Sequence, residues 1–128
     1  MFKRIFKNRI NEIHEKYKDK HVLIADDMSN FFGLESAGVW KIRGNGVLLL
    51  TEEELFFEMW KPKYDLLIPV NSIIEVTHPK SHMHRSVSRP LLKITFKDQN
   101  GEINSAAWFV SKLEEWNEFV RQLLQKNS

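Results

Sequence analysis

From about residue 38 to residue 110 the sequence is a succession of short, apolar, β-type runs separated by turn-forming residues. The clearest run alternates, with Leu92, Ile94 and Phe96 on one side of a strand and Lys93 and Thr95 on the other. Runs of this length and spacing are typical of a small all-β domain. Strands are expected near residues 38–43, 46–51, 55–60, 65–69, 73–78, 90–97 and 102–110.

Turn signals separate these runs. Gly44-Asn45-Gly46 is expected to be a turn between the first two strands. The segment Asp98-Gln99-Asn100-Gly101 is the clearest hairpin turn, because an Asn-Gly pair tolerates positive φ. Ahead of all these strands, the short apolar run at residues 22–25 is expected to end in a polar turn at Asp26-Asp27.

An amphipathic helix is expected after the last strand. Ser111, with Glu114 three residues later, forms the pattern of a capping box at a helix start. The apolar residues that follow define one face of that helix: Leu113, Trp116, Val120, Leu123 and Leu124. A helix of this length is marginal alone, so its apolar face should be buried against the sheet. The sequence therefore predicts a mainly β fold, a seven-stranded antiparallel barrel or sandwich with a C-terminal helix over an open edge or end.

A second amphipathic helix is expected over residues 2–18, because apolar residues recur there at steps of three or four. Its N-terminal part carries the candidate membrane-binding or partner-binding residues Phe2, Lys3, Arg4, Phe6, Lys7 and Arg9. Such a helix can lie on an anionic membrane surface, pack on the barrel or pair with another subunit. Acidic residues from Glu12 onward dilute its basic face, which favours packing or pairing. The chain therefore divides into a helical extension, residues 1–20, and a β domain, residues 21–128.

Composition and charge set further limits. A chain of 128 residues can form one domain with a sizeable core, and the absence of cysteine excludes disulfides and thiolate chemistry. The net charge is only +2, yet residues 1–11 and 76–97 hold nine of the nineteen Lys and Arg and no acidic residue. No apolar run approaches the roughly 20 residues of a transmembrane helix, and the N-terminus lacks a signal peptide's apolar core. A cytoplasmic location is expected, with peripheral membrane association as an option.

Residues 46–76, GVLLLTEEELFFEMWKPKYDLLIPVNSIIEV, carry an ordered pattern. It consists of a glycine, an apolar strand ending in threonine, a Leu-x-Phe strand, an Ile-Pro pair and an Ile-x-x-Val strand. Its residues are Gly46, Leu48, Leu50, Thr51, Leu55, Phe57, Ile68, Pro69, Ile73 and Val76. It continues with LLKITF at 91–96, AAWFV at 106–110 and Trp116. Taken in order, these elements resemble a pleckstrin-homology-like (PH-like) domain, and most closely its GRAM and bacterial PH-like branches.

The resemblance covers roughly residues 22–125 and implies a binding module rather than an enzyme. PH-like domains bind phosphoinositides in some members and peptides or protein partners in others. The basic phosphoinositide motif of eukaryotic PH domains lies between the first two strands, where this chain has RGNG, with Arg43 and Lys41 as the only nearby charges. This departure argues against classical inositol-phosphate binding. A protein partner or another anionic ligand is therefore expected, and a homo-oligomer assembled through the N-terminal helix is the alternative.

Residues 78–90, HPKSHMHRSVSRP, contain three of the five histidines and no acidic residue. Pro79 and Pro90 bracket this basic loop as a connection between two strands. Its cationic side chains can donate hydrogen bonds to an anion without a competing carboxylate, although a solvated loop is the simpler alternative. The candidate anion-binding residues are Lys80, His82, His84, Arg85, Arg89 and Lys93. Because histidines gain charge below about pH 6.5, anion binding is expected to strengthen in acid.

Other chemistries have less support. The loop has no carboxylate to orient a zinc ligand, and its cations would repel a metal, so neither a metal nor a cofactor is expected. Ser81 and His82 are strand neighbours that point to opposite faces, so they form no catalytic dyad. No catalytic residue is assigned, and a small hydrolase or metal-dependent enzyme ranks third among the functions. Nucleic-acid binding is not expected, because Phe96, the aromatic residue of the basic segment, lies on an apolar strand face.

Overall fold

A computed structural model of the chain describes residues 7–37, 43–61, 63–82, 85–86 and 89–127. The helices are α1 (Lys7–Lys16) and α2 (Leu113–Lys126). The strands are β1 (Val22–Leu34), β2 (Gly44–Thr51), β3 (Glu54–Met59), β4 (Tyr64–Pro69), β5 (Ile73–Thr77), β6 (Ser81–His82), β7 (Arg85–Ser86), β8 (Leu92–Lys97) and β9 (Ile103–Phe109). Short 3-10 turns, Glu35–Ala37 and Val70–Ser72, follow β1 and β4. Neither described helix has the length and apolar character needed to cross a membrane.

Seven of the described strands form one antiparallel sheet in the order β4-β3-β2-β1-β9-β8-β5, and β6 and β7 form a separate small hairpin. The long strand β1 belongs to both halves of the sheet, because its first part pairs with β2 and its last part pairs with β9. Phe31, Phe57 and Trp108 meet in the main core at ring-centroid distances of 4.9 to 5.8 Å. The mainly β, seven-stranded antiparallel fold predicted from the sequence is confirmed.

Helix α2 contributes its apolar face to the main core, as its periodicity predicts. Trp116, Val120 and Leu123 are buried there, and the helix packs against β5, β1 and β8. The predicted capping box is wrong, because Lys112 occupies the N-cap position and makes no side-chain cap bond. Ser111 instead donates both its backbone N–H and its hydroxyl to the Asp26 carboxylate, at 2.9 and 3.2 Å. A buried carboxylate needs such donors, and this need decides the direction of the serine side chain.

The polar turn predicted at Asp26-Asp27 is also wrong, because both residues lie inside β1, which runs on to Leu34. The strand continues through an irregularity in its pairing with β2 between Asp26 and Ser29. Such irregularities bend a strand and free a residue from the ladder. Here the Asp26 carboxylate accepts the Met28 N–H at 2.9 Å, so a side chain within the bend supplies the acceptor for this backbone N–H.

The turn predicted at residues 44–46 is likewise wrong, since this segment begins β2 and pairs with β1 and β3. Gly46 is required there by close packing, because a Cβ at this position would collide with the Glu58 carbonyl oxygen. The predicted strand at 38–43 falls outside the described residues except for Arg43, which is not in a strand. The hairpin turn at residues 98–101 is confirmed, with Gly101 at φ +79°.

The residues of the ordered pattern at 46–76 have structural roles in the core and in a turn. The pattern's apolar side chains in β2, β3, β4 and β5 are buried in the main core: Leu48, Leu50, Leu55, Phe57, Ile68 and Ile73. The Thr51 hydroxyl accepts the N–H groups of Glu53 and Glu54 at 3.2 and 3.1 Å and so closes the β2–β3 turn. The pattern therefore describes how the chain folds, and the candidate functional residues must be sought elsewhere.

Candidate functional site

The outward face of the sheet, opposite the main core, is covered in two parts. Helix α1 covers its β2–β3 half, where Ile10 and Ile13 pack against a cluster that includes Leu49, Phe56 and Trp60. The packing expected for the apolar stripe of this helix is therefore observed within one chain. We call this part of the sheet the helix-covered half.

The candidate residues of the N-terminal helix are placed only in part. Phe2, Lys3, Arg4 and Phe6 lie outside the described residues. Lys7 is exposed on the first turn of α1. Arg9 is half-buried, and its guanidinium donates to the carbonyl oxygens of Trp60 and Met59, the latter at 3.0 Å. Arg9 therefore fastens α1 to the end of β3.

The other half of the outward face, on β1, β9 and β8, lies beside the basic loop, and we call it the loop-covered half. The loop is closed at its base by the Leu91 N–H, which donates to the Pro79 carbonyl oxygen at 2.8 Å. Phe32, Leu91 and Ala107 form a small buried cluster on this half. The loop contains the short β6–β7 hairpin, in which His82 pairs with Arg85.

His82 attaches this loop to the sheet. Its side chain is only 4% exposed, and its Nε2 lies 3.1 Å from the Gly33 carbonyl oxygen. Gly33 has φ +114° and stands in an irregularity of the β1–β9 pairing, where Phe32 and Gly33 together oppose Ala107. A bulge of this kind re-aims a backbone carbonyl away from the ladder, and glycine permits the positive φ that it needs.

Burial lowers the pKa of His82, because the charged imidazolium loses its hydration. The positive charge of Lys93 lowers it as well, while the hydrogen bond to the Gly33 carbonyl and the carboxylate of Glu35 raise it by less than burial lowers it. His82 is therefore neutral at pH 7. A buried, neutral imidazole does not suit the exposed anion-binding role expected for this residue.

The remaining candidate anion-binding residues are spread along the loop and its flanks. Lys80 and Arg89 are exposed, and the Arg89 guanidinium lies 5.6 Å from the centre of the Phe109 ring. Lys93 is half-buried in β8. Arg85 is described by its backbone alone, and His84 lies outside the described residues. Arg89 also lines a cleft with Lys112, but Glu114 and Glu115 line that cleft too and would repel an anion.

A different surface, which the sequence reasoning missed, is apolar. Of the four large apolar side chains that are exposed among the described residues, three lie around the β8–β9 turn. They are Leu67 on β4, Ile74 on β5 and Ile103 on β9, with exposures of 51, 50 and 64%. With the exposed Pro69, these residues form what we call the β8–β9 end surface. The sequence signal for this surface is the pair of adjacent isoleucines on β5, Ile73 and Ile74. Neighbouring side chains of a strand point to opposite faces, so one of the two must face outward.

Two adjoining clefts cross the β8–β9 end surface and share Ser72, Lys97 and Asp98. The larger, of about 670 Å³, passes Leu67 and reaches the partly buried Leu66. The smaller, of about 570 Å³, contains Ile74 and Ile103. Both cleft volumes fall within the range of ligand-binding clefts.

The described part of the chain also bears on metal binding and nucleophilic catalysis. The described residues bring together no group of three or more His, Asp or Glu side chains that could hold a metal ion. The Ser105 hydroxyl donates to the Glu35 carboxylate, while the His82 Nε2 is directed at a backbone carbonyl. A catalytic serine needs an imidazole within hydrogen-bond reach, whereas Ser105 and His82 each bond to a different partner.

Comparisons with known proteins identify a fold and no family. No protein-family model matches the chain, and no curated protein sequence matches it. A chain of a structure described as the 8S snRNP assembly intermediate is similar with a TM-score of 0.59 and 10% identity, over 83% of this chain and 81% of that chain. The C-terminal domain of an unknown protein from Leishmania infantum is similar with a TM-score of 0.60 and 10% identity, over 93% of this chain and 98% of that chain. These similarities at 10% identity are similarities of fold alone.

Proposed function

We propose that this chain is a non-enzymatic, PH-like binding module whose partner is a protein that covers the β8–β9 end surface. The observation that carries the proposal is the grouping of Leu67, Ile74 and Ile103, half or more exposed, on three different strands around one turn. Large apolar side chains that are scattered singly need no explanation, but contiguous ones mark interaction sites. The resemblance to PH-like domains, some of which bind peptides or proteins, agrees with this assignment.

The shape of this surface favours a protein over a small molecule. A compact ligand held in the cleft beside Leu67 would leave Ile74 and Ile103 in water, because those two line the neighbouring cleft. Burial of apolar surface contributes about 25 cal/mol per Å², so an extended partner that covers both clefts gains more than a compact one. The partner chemistry that fits is an apolar segment, since Lys97 and Asp98 at the shared rim largely cancel each other's charge.

The edges of the sheet support the same assignment. β4 pairs with β3 alone and β5 with β8 alone, so among the described strands each leaves one edge unpaired. Exposed edges are usually protected by charge, by proline or by a covering segment. Pro69 ends β4, whereas β5 presents Ile74 beside its open edge. Helix α2 already packs against β5, so what a bound protein segment would cover at this edge is the exposed side chain of Ile74.

An anionic surface is the second candidate, because Lys80 and Arg89 are exposed on the loop beside the outward face. In that case a membrane with acidic lipids would be the partner, and a cytoplasmic protein would act at the membrane periphery. Self-association through the N-terminal helix has less support, because Ile10 and Ile13 of its apolar stripe are already buried against Leu49 and Phe56 of the same chain.

The test starts from a library of displayed peptides selected on the purified chain. A selected peptide is then titrated against the chain, the double variant I74K/I103K and the control M28K, which changes an exposed apolar residue that lines neither cleft. The double variant is expected to lose at least tenfold in affinity, or about 1.4 kcal/mol, and the control to lose none. Equal losses in both, or a peptide that binds the double variant unchanged, would refute the proposed surface.

The membrane alternative is tested in parallel by co-sedimentation with vesicles of phosphatidylcholine containing phosphatidylserine. Binding that is abolished in K80A/R89A and intact in I74K/I103K would replace the protein-binding proposal with the anionic one. Absence of vesicle binding, together with peptide binding that depends on Ile74 and Ile103, would support the proposal as stated. A thermal melt of each variant shows whether it is folded.

A further inference from the structure

The contact between His82 and Gly33 fixes the protonation state of a buried imidazole. The Gly33 carbonyl oxygen can only accept a hydrogen bond, so the His82 Nε2 must carry the proton that it donates over 3.1 Å. The neutral ring has one ring proton, and Nδ1 is therefore a bare lone pair. That Nδ1 is buried and makes no hydrogen bond to any described residue.

Protonation of the His82 Nδ1 is unfavourable at this buried position. The N–H that it forms would be buried with no acceptor among the described residues, and leaving a buried donor unpaired costs about 1–3 kcal/mol. The charged groups around the ring do not remove this cost. From β8, Lys93 repels the imidazolium, and from the turn after β1, Glu35 attracts it, while His78, Lys80 and Arg89 of the loop itself are exposed.

The imidazole also holds a connection in place. The neck of the loop is closed by the Leu91 N–H on the Pro79 carbonyl, so His82 lies three residues beyond a fixed point. Among the described residues, the hydrogen bond from the His82 side chain to the Gly33 carbonyl is the polar contact that joins β6 to β1. Without it, β6 would retain the pairing of His82 with Arg85, which belongs to its own hairpin.

We propose that His82 is a pH-sensitive latch, which holds β6 against the bulge of β1 while its imidazole is neutral and releases β6 when the imidazole is protonated. This inference goes beyond the proposed function and does not depend on it. The released state carries an additional positive charge on a loop that already holds Lys80 and Arg89, so acid changes both the position and the charge of the loop. The basic loop thereby becomes a segment whose exposure depends on pH.

The sign of the effect follows from linkage. The pKa of His82 is lowered in the latched state, whereas an exposed histidine has a pKa of about 6.5. The released state therefore binds the proton more tightly, and the latch is complete above about pH 6.5 and weakens as the pH falls below that value. The population of the released state can rise by at most about tenfold for each pH unit below 6.5.

Ring ¹⁵N NMR of the full chain tests the latch directly, and it requires no variant. At pH 7.5 the His82 ring is expected to show protonated Nε2 and unprotonated Nδ1. On acidification, its titration should coincide with a shift of the Gly33 signals and with faster exchange of the His82 amide, after correction for the intrinsic pH dependence of exchange. A ring protonated on Nδ1 at pH 7.5, or a Gly33 signal that stays unchanged through the His82 titration, would overturn the proposal.

Two variants separate the latch from a general effect of acid. His82→Gln keeps a donor for the Gly33 carbonyl but cannot titrate, so the Gly33 shift and the increased amide exchange of the segment should no longer depend on pH. His78→Gln removes an exposed histidine of the same loop and should leave the pH dependence intact. An H82Q variant that is unfolded leaves the wild-type titration to decide. An H82Q variant that is folded and keeps the wild-type pH dependence would refute the latch.

Discussion

The two halves of the outward face of the sheet are covered through different kinds of interaction. On the helix-covered half, Ile10, Ile13 and Tyr17 bury apolar area on four buried residues of β2, β3 and the turn that follows: Val47, Leu49, Phe56 and Trp60. On the loop-covered half, a cluster of three buried residues lies beside a loop whose described side-chain tie to β1 is a single imidazole. Apolar burial changes little with pH, whereas one buried histidine can be released by a proton. The first arrangement is suited to permanent structure and the second to regulation.

The largest effect is expected for a change on the helix-covered half, where apolar packing of α1 contributes to stability. Ile13→Ala removes a buried side chain from α1 and is expected to lower the free energy of unfolding by about 2–4 kcal/mol, through lost burial and the cavity left behind. Urea denaturation followed by tryptophan fluorescence measures the change. Glu12→Ala, on the exposed side of the same helix, is the control and should stay within about 0.5 kcal/mol.

A separate unfolding of α1 in the Ile13→Ala variant, at an unchanged midpoint for the β domain, would contradict this expectation. The helix would then be an attached extension, in line with a division of the chain at residue 20, and the contrast between the two halves would weaken. A single cooperative transition at lower urea would show that α1 and the sheet unfold as one unit.

A smaller effect is expected when the bulge under the loop is altered. Gly33→Ala places a Cβ at φ +114° and should cost about 1–2 kcal/mol of stability. Gly101→Ala is the matched control, because it has φ +79° in an exposed turn with open space around it. Both should be destabilised, but only Gly33→Ala should change the His82 titration. A ring freed into water loses the burial that lowers its pKa, so this pKa should move back toward about 6.5. An unchanged His82 titration in Gly33→Ala would show that the bulge does not position the latch.

The same contrast explains how much of the molecule the sequence could predict. The strands of β2 to β5, β8 and β9, the buried stripe of α1 and the buried face of α2 follow from apolar periodicity, because burial is their cause. Six apolar residues of the ordered pattern at 46–76 are buried in the main core for the same reason. The errors lie where a polar contact between distant residues decides the structure. Asp26 stays within β1 because Ser111, 85 positions away, donates to its carboxylate.

The candidate site was less predictable than the fold. The histidines of the loop look alike in the sequence, and His82 differs from the exposed His78 because the bulge at Gly33 offers it a carbonyl. The bulge arises from the pairing of β1 with β9, whose paired residues are more than 70 positions apart, so no local pattern predicts it. The β8–β9 end surface is of the same kind, because Leu67, Ile74 and Ile103 come from three different strands and line two adjoining clefts at one turn.

The smallest effect concerns a polar contact on the helix-covered half. Apolar burial holds this half, so we expect a polar contact to contribute little to its stability. The Tyr17 hydroxyl donates to the Glu54 carboxylate at 2.6 Å, so Tyr17→Phe should lower the free energy of unfolding by about 1 kcal/mol at pH 7. Burial, and then the Glu54 carboxylate, raise the pKa of Tyr17 above its ordinary value of about 10. The folded state therefore holds this proton more tightly than the unfolded chain, and stability is lost as the pH rises above about 10.

Tyr17→Phe removes this alkaline loss, so its stability should approach that of the wild type as the pH rises. Tyr64→Phe is the control at pH 7 alone, where its change should be within about 0.5 kcal/mol. Burial raises the pKa of Tyr64 too, so at alkaline pH Tyr17→Phe is compared with the wild type. Urea denaturation at pH 7 and pH 10.5 measures both variants. A Tyr17→Phe cost well above that of Ile13→Ala would mean that a single polar contact holds this half as well, and the contrast between the two halves would then fail.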